Sequence, residues 1–383
     1  MKKIAYLGKI QLSDVDLSYL HEAQQLADIT YIMEVTPRYM KGPALCLENL
    51  YPKSGLFKAL EAYPEFGKYQ GFVDLDKCYV LNTCGRLWLL KAFWTNLLLL
   101  LFLIRQRFTA IHLAWPPNPY EFILYFLRRR MLLTVHDPFP HIAHNTLIVR
   151  LRRLLAFRLI PRLILLNDAQ RQDFIDFYRI SPSRVIMSSL GSYDNMTVGV
   201  SDLPDGGGDF ILFAGRISPY KGLDYLLPAM KEVHRVCPDC KLKVVGSGQF
   251  HFNVSEYQMS DYIEIRNRFI PDEELVELIR RAAFLVCPYT DATQSGVVMS
   301  AFAFHKPVIA TRVGGLPEMV KDGCYGLIVK SHDVKALADA MIDLWKDEDK
   351  RRLFSQQIAH DYSDGDRSWK KIAKQLTACY QEE

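Results

Sequence analysis

A glycine, an arginine and a lysine set close together after an apolar run can grip a phosphate, and residues 210–221 carry that set. The run Phe-Ile-Leu-Phe-Ala at 210–214 reads as a buried strand. Gly215 lets the chain turn without a Cβ clash. Arg216 presents a planar fork of donors that matches phosphate oxygens. Lys221 adds a point charge ahead of a predicted helix over 223–233. A helix start offers free N–H groups and the positive end of the macrodipole, and both favour an anion. Strand end, Gly-Arg turn, lysine and helix start together describe a diphosphate grip.

Two further stretches converge with it. Gln294-Ser295-Gly296-Val297-Val298 lies between a predicted strand, 283–288, and a predicted helix, 296–304. A glycine and polar residues at a helix start expose backbone N–H groups. Gly246-Ser247-Gly248 follows a predicted strand at 242–245. Ligands of open α/β sheets sit beyond the carboxyl ends of the strands, so these loops would crowd one crevice. Each loop alone is also an ordinary tight turn; their succession in one segment favours a site. In the first half, Thr134-Val135-His136-Asp137-Pro138-Phe139-Pro140-His141 closes another predicted strand. A neutral imidazole there could donate or accept near pH 7, although His-Asp before proline also makes a capped turn.

The elements that must position these residues alternate. Strands are predicted at 3–7, 29–34, 109–114, 131–136, 163–166 and 184–187, and helices at 19–26, 85–105 and 120–129. Residues 35–80, broken by four prolines, read as loop with short helices. The pattern lapses near 194–208, where Asp202-Leu-Pro-Asp-Gly-Gly-Gly-Asp209 predicts a linker. It restarts at Phe210 and continues through strands at 262–265 and 307–311. Helices follow at 272–282, with Asp272 as N-cap, and at 316–320, 334–346 and 369–380. Such alternation argues parallel sheets covered on both faces, and 383 residues suit two domains.

Charge divides unevenly. Residues 1–200 hold 24 Lys and Arg against 16 Asp and Glu, and the remainder holds 23 against 27. The basic half suits an anionic surface, while the whole chain does not read as a nucleic-acid binder. Arg128, Arg129, Arg130, Arg150, Arg152, Arg153, Arg158 and Arg162 are interleaved with Leu, Ile and Phe, as an anionic bilayer surface would require, although a solvated basic helix looks similar. Trp88, Trp94 and the apolar run 97–104 could add apolar contact. That run is far shorter than the ~20 residues a membrane span needs. The first residues read as a strand rather than a leader. The eight scattered cysteines read as reduced thiols, and only Cys237 and Cys240 have C-x-x-C spacing, with no second pair or histidine cluster beside them.

Residues 210–330 resemble the nucleotide-sugar domain of glycosyltransferase family four. The resemblance rests on Phe-Ala-Gly-Arg-Ile-Ser-Pro-Tyr-Lys-Gly-Leu-Asp at 213–224, Lys-Pro-Val-Ile-Ala-Thr-Arg-Val-Gly-Gly-Leu-Pro-Glu at 306–318 and Asp-Gly-Cys-Tyr-Gly-Leu-Ile-Val at 322–329. Ser-Trp-Lys-Lys-Ile-Ala at 368–373 is similar to the family's closing helix. The resemblance implies the GT-B fold: two Rossmann-like, doubly wound α/β domains facing a central cleft, with a C-terminal helix crossing back to the N-terminal domain. Residues 1–200 would bind the acceptor, 201–360 the nucleotide sugar, and 361–383 would pack back on the first domain.

The resemblance also implies roles. Arg216 and Lys221 would hold the donor diphosphate and neutralise it as the sugar departs. Gly215 and Gly246 would shape the donor loops. The backbone of Ser295, Gly296, Val297 and Val298 would bind phosphates and sugar, and Arg268, Phe269 and Ile270 would contact the base. His136 would face the donor sugar, with Gly8, Asp137 and His141 on the acceptor side. The sequence departs from the family at the two glutamates around the donor helix, which fall near Thr293 and at Ser300 or Ala301; Gln294 or Asp291 would serve the sugar instead.

The implied activity is a retaining, hexosyltransferase-type transfer from a nucleoside-diphosphate sugar to a hydroxyl of a glycan or lipid-linked glycan, in polysaccharide or glycoconjugate biosynthesis. Front-face attack is expected, since no carboxylate stands as a nucleophile. No cofactor is expected; two cations already face the diphosphate, so a divalent metal is not required. The expected location is cytoplasmic, peripheral on the inner face of the plasma membrane. A nucleotide-sugar epimerase of similar architecture and a catalytically inactive nucleotide-sugar-binding relative remain the alternatives.

Overall fold

The structure, a computed structural model, describes residues 2–85, 87–139, 146–200 and 208–380. His141 and most of the predicted linker lie outside them. The chain divides into two units, Met1–Gly191 with Arg367–Glu383, and Ser192–Asp366.

The strands of the first unit are β1 (Lys3–Lys9), β2 (Asp28–Val35), β3 (Gly55–Lys58), β4 (Cys78–Asn82), β5 (Ala110–Leu113), β6 (Met131–Val135), β7 (Arg162–Leu165) and β8 (Val185–Met187). They form one sheet in the order β3-β4-β2-β1-β5-β6-β7-β8, parallel except for the β3–β4 pair. Its helices are α1 (Ser13–Leu26), α2 (Ala59–Ala62), α3 (Trp88–Arg105), α4 (Leu147–Leu159) and α5 (Arg171–Tyr178). The central strands are apolar on both faces, as a sheet covered on both sides requires.

The second unit holds β9 (Phe210–Ala214), β10 (Leu242–Gly246), β11 (Ile263–Asn267), β12 (Ala282–Cys287), β13 (Val308–Thr311) and β14 (Gly326–Val329). Its helices are α6 (Leu223–Val236), α7 (Ser255–Gln258), α8 (Asp272–Arg281), α9 (Gly296–Ala303), α10 (Leu316–Val320), α11 (Val334–Lys346) and α12 (Glu348–Ser363). The sheet is wholly parallel, in the order β11-β10-β9-β12-β13-β14. This is a doubly wound order whose direction of winding reverses between β9 and β12, where such sheets open a binding crevice.

The last helix, α13 (Trp369–Cys379), packs on α1 of the first unit. Its Trp369 ring lies 6.1 Å from that of Tyr19, and the Tyr380 hydroxyl lies 2.8 Å from that of Tyr19. Both domain boundaries shift from expectation. Residues 192–200 stay with the second unit, since the Tyr193 N–H donates to Met299 O at 3.2 Å. Residues 361–366 also stay there, since the Asp361 carboxylate accepts from the Tyr325 hydroxyl at 2.6 Å.

Several local expectations need correction. The region 35–80 hides two strands, β3 and β4. Residues 119–130 form a 3-10 rather than an α-helix, opened by Pro119 and by Glu121 accepting from the Asn118 N–H. Asp272 is the first helical residue of α8, with Pro271 in the capping position; it joins Glu273 and Glu274 in an acidic first turn that complements the macrodipole. Helix α12 was not foreseen. Cys237 and Cys240 are both buried at the turn between α6 and β10, with the Cys240 N–H donating to Cys237 O at 3.0 Å.

Candidate functional site

The turn after β9 and the loop after β12 meet at the reversal point of the second sheet. Gly215 has φ of 121°, and a Cβ there would touch Val297 Cγ2 at 3.4 Å. The Thr290 N–H donates to Tyr220 O at 2.8 Å. Gly222 approaches Pro288 so closely that a Cβ would lie 1.9 Å from its carbonyl oxygen. The loop after β10 joins them: the Ile217 N–H donates to Ser247 O at 3.0 Å, and a Cβ on Gly246, at φ 139°, would lie 1.9 Å from Gly215 O. The glycines are what let three backbones run in contact.

The two cations stand on this platform. Arg216 is exposed, and Lys221 is half-buried with its Nζ 3.6 Å from the Tyr289 ring centroid. Among the described residues neither is ion-paired with a carboxylate. Burial holds the Lys221 ammonium down to about 8, and the neighbouring charge of Arg216 adds to the effect. Two like charges that act on one another, Lys221 over an aromatic face and neither ion-paired to a carboxylate among the described residues, form a site for a multiply charged anion.

The start of α9 is partly occupied. The Ser295 hydroxyl caps the helix by accepting from the Val298 N–H at 3.4 Å, and lies 3.2 Å from the Tyr289 hydroxyl. Val298 is therefore removed from the expected set of anion donors, and Ser295 acts as a cap; the amides of Gly296 and Val297 remain at the helix start. Asp291 is exposed and Gln294 half-buried on the same loop. Ser300 and Ala301 are buried in α9, so this helix offers no carboxylate.

The expected base-contacting stretch follows β11. Arg268 is engaged rather than open: its Nη2 donates to Glu274 at 2.6 Å and its Nη1 to Phe269 O at 3.1 Å. Phe269 is exposed and Ile270 half-buried. The stronger organiser here is Asn267, which sequence reasoning missed. Its side-chain oxygen accepts from the Gly248 N–H at 3.1 Å, and its amide donates to Gly248 O at 3.1 Å. An asparagine at a strand end is the only sequence trace of it.

In the first unit, His136 follows β6 directly. It is buried, its Nε2 has no hydrogen-bond partner among the described residues, and its ring stacks on Trp115 at 6.3 Å. Burial holds its imidazolium down to about 4, so it is neutral at pH 7. Asp137 is half-buried beside it. Gly8 lies one residue beyond the strand predicted at 3–7. It belongs to β1, where a Cβ would lie 2.0 Å from Asp16 Oδ2, and β1 continues to Lys9, which is ion-paired to Glu34 of β2 and, at 3.0 Å, to Glu121. Gly8 does line a small cavity with Lys9, Glu34, Trp115 and Glu121. Sequence reasoning also missed His112 on β5, which is buried between the Tyr380 hydroxyl at 2.6 Å and the Thr134 hydroxyl at 2.7 Å.

Residues 208–347, which contain the whole Arg216–Lys221 platform, match the family described as Glycosyl transferases group 1. This segment belongs to that family. The chain is 31% identical over 238 residues to a D-inositol 3-phosphate glycosyltransferase of Corynebacterium aurimucosum, covering 57% of this chain and 56% of that protein. It is 30% identical over 181 residues to an uncharacterized glycosyltransferase of Methanocaldococcus jannaschii, covering 46% and 49%. The chain thus spans about half the length of these curated relatives. Among solved structures, a sucrose-phosphate synthase from Thermosynechococcus elongatus matches with TM-score 0.69 at 17% identity, covering 99% of this chain and 98% of that one. HepE of Anabaena, solved with UDP and glucose, matches with TM-score 0.69 at 15% identity over 100% of both chains. The fold is GT-B, with the glycosyl transferases group 1 segment forming most of the second unit.

Proposed function

We propose that this chain is a retaining glycosyltransferase of family four, which binds a nucleoside-diphosphate sugar on its second unit and an acceptor hydroxyl on its first. The observation that carries the reading is the Arg216–Lys221 pair, two cations without a carboxylate partner among the described residues, at the reversal point of a doubly wound sheet. The likeness to glycosyltransferases supports transfer of a sugar, and the UDP held by HepE supports such a donor.

In the proposed reaction the bond between the sugar's anomeric carbon and the terminal phosphate oxygen breaks. The acceptor oxygen forms the new bond on the same face, and its proton passes to the departing phosphate. Arg216 and Lys221 take up the charge that develops on that phosphate, with the Gly296 and Val297 amides beside them. His136, neutral and with Nε2 unpartnered, would orient the sugar or acceptor through a hydrogen bond. The acceptor proposed is a hydroxyl of a glycan or lipid-linked glycan. With two fixed cations at the diphosphate, a divalent metal is not needed.

A thermal-shift screen against nucleoside-diphosphate sugars identifies the donor, because a bound ligand raises the melting temperature by mass action. With that donor, Arg216→Ala and Lys221→Ala should each lower kcat/KM by about 10²–10³-fold with the melting temperature of the free protein unchanged. Unchanged turnover in both removes the reading. Donor binding without transfer to any acceptor favours the inactive relative, consistent with an α9 that lacks a carboxylate. Isomerised free nucleotide sugar favours an epimerase.

A further inference from the structure

A broad apolar surface covers one side of the first unit. In α3 the side chains of Ala92, Thr95, Asn96, Leu99 and Leu103 are buried. Leu90, Trp94, Leu98 and Leu101, which share the opposite face, are all at least half exposed, Trp94 at 64%. The 3-10 segment Pro119–Arg130 touches both α3 and α4 and adds Phe126, 78% exposed. The Phe122 ring, also exposed, stacks on Phe93 of α3 at 6.0 Å, so segment and helix form one surface. Helix α4 repeats the pattern: Arg153, Ala156 and Phe157 are buried, while Leu147, Ile148, Leu151 and Leu155 face out.

Charge decides what covers it. Residues 88–162 contain eleven Lys and Arg and two acids, Glu121 and Asp137. Glu121 is buried against Lys9. Arg105, Arg128, Arg129, Arg130, Arg150 and Arg158 are exposed on the same three elements as the apolar side chains. A second copy of the chain laid on this surface would set arginines against arginines, which is costly. A bilayer rich in anionic lipid satisfies both features: leucine, phenylalanine and tryptophan enter the acyl boundary while arginines stay with the phosphates.

Helix α3 is also long and apolar enough to cross a membrane by length and composition, with 18 residues and a mean hydropathy of 1.5. Its buried face argues against crossing. The Thr95 hydroxyl lies 3.1 Å from that of Thr83, and Leu99, Leu100 and Leu103 belong to the apolar core of the unit. Leaving the unit would strip that core, so the helix lies along the surface with its outer face free.

We propose that α3, the segment 119–130 and α4 form a docking surface for an anionic lipid bilayer, which the chain binds in the plane without crossing. The surface stands independently of the sugar-transfer reading. The test is sedimentation of the full chain with vesicles of equimolar phosphatidylglycerol and phosphatidylcholine, against pure phosphatidylcholine, without any nucleotide sugar. Failure to bind vesicles and failure to transfer sugar are therefore separate results. Binding should favour the anionic vesicles by tenfold or more on the order expected for several arginines, and weaken as salt rises. Replacing Arg128, Arg129 and Arg130 together with Gln should weaken it about 100-fold, and Trp94→Glu with Phe126→Glu should abolish it. Arg235→Gln with Arg352→Gln, exposed arginines of the second unit, should leave it unchanged. All of these side chains are at the surface, so melting temperatures serve as the folding check. Equal binding to neutral vesicles, absence of binding, or equal loss in the second-unit control overturns the proposal. So does a dimer in sedimentation analysis that Trp94→Glu dissociates, since the surface would then belong to a second copy.

Discussion

Lys221 is the residue whose chemistry is most finely set. Its ammonium lies over the Tyr289 ring, in a half-buried position next to Arg216, and both burial and the arginine hold it down to about 8. The free protein therefore loses this charge as pH rises through about 8. If Lys221 receives the diphosphate, kcat/KM should fall on the alkaline side of about pH 8, since that ratio reports groups of the free enzyme. Lys221→Arg should move the fall upward or remove it while retaining part of the activity. A pH profile of kcat/KM for both proteins checks this, and an alkaline limb unmoved by Lys221→Arg assigns the titration elsewhere. The type and spacing of Gly215, Arg216 and Lys221 made this part of the site legible in sequence. The role of Tyr289 was not, because an aromatic residue after an apolar strand looks the same whether it packs a core or carries a lysine.

At the scale of elements, the site depends on three strand-end loops running in backbone contact. Gly246 is one of the tight joints, with φ of 139° and room for no side chain against Gly215 O. Gly246→Ala must strain its own backbone and also push the β9 turn away, so it should cost more than about 1 kcal/mol and weaken donor binding together with stability. Ser295→Ala provides the contrast. It removes a cap worth about 1 kcal/mol and frees the Val298 amide, so stability falls without the β9 turn moving. Denaturant melts with donor titrations of both variants separate the two effects; equal donor affinity in Gly246→Ala and the parent would mean the loop contact does not shape the site. Elements that bury a regular apolar pattern were readable with their ends, as β9, α10 and α11 show. Strand β4 was hidden because it follows a proline-broken stretch, and α12 because only Phe354, Ile358 and Tyr362 mark its inner face. The Asn118 and Glu121 pair is a capping signal that agrees with the helix predicted at 120–129, but it carries no trace of the 3-10 winding.

For the molecule as a whole, the two units draw on the chain differently. The second is continuous, but the first is closed only by the far end of the chain, where Tyr380 bonds to Tyr19 and His112. That closure buries His112 as a neutral imidazole, held down to about 3 by burial with the nearby His136 adding, and His136 itself is held down to about 4. Both imidazoles regain an ordinary value of about 6.5 on unfolding. The unfolded chain thus binds more protons below about pH 6.5, and the stability these groups contribute, present above that value, is lost as pH falls toward 4 and then 3. Between pH 7 and pH 5 the loss should be on the order of 1–2 kcal/mol for each histidine, and it should fall on the first unit alone. Segment-resolved hydrogen exchange at the two pH values reads this directly: faster exchange in β1, β5, β6 and α13 at pH 5, with β9 to β14 much less affected. In His136→Gln the difference should shrink by about half, because one of the two titrating groups is gone while His112 keeps its partners. Uniform acid loss across both units would instead place the acid sensitivity in carboxylates spread through the chain, and the closure by α13 would not be its origin.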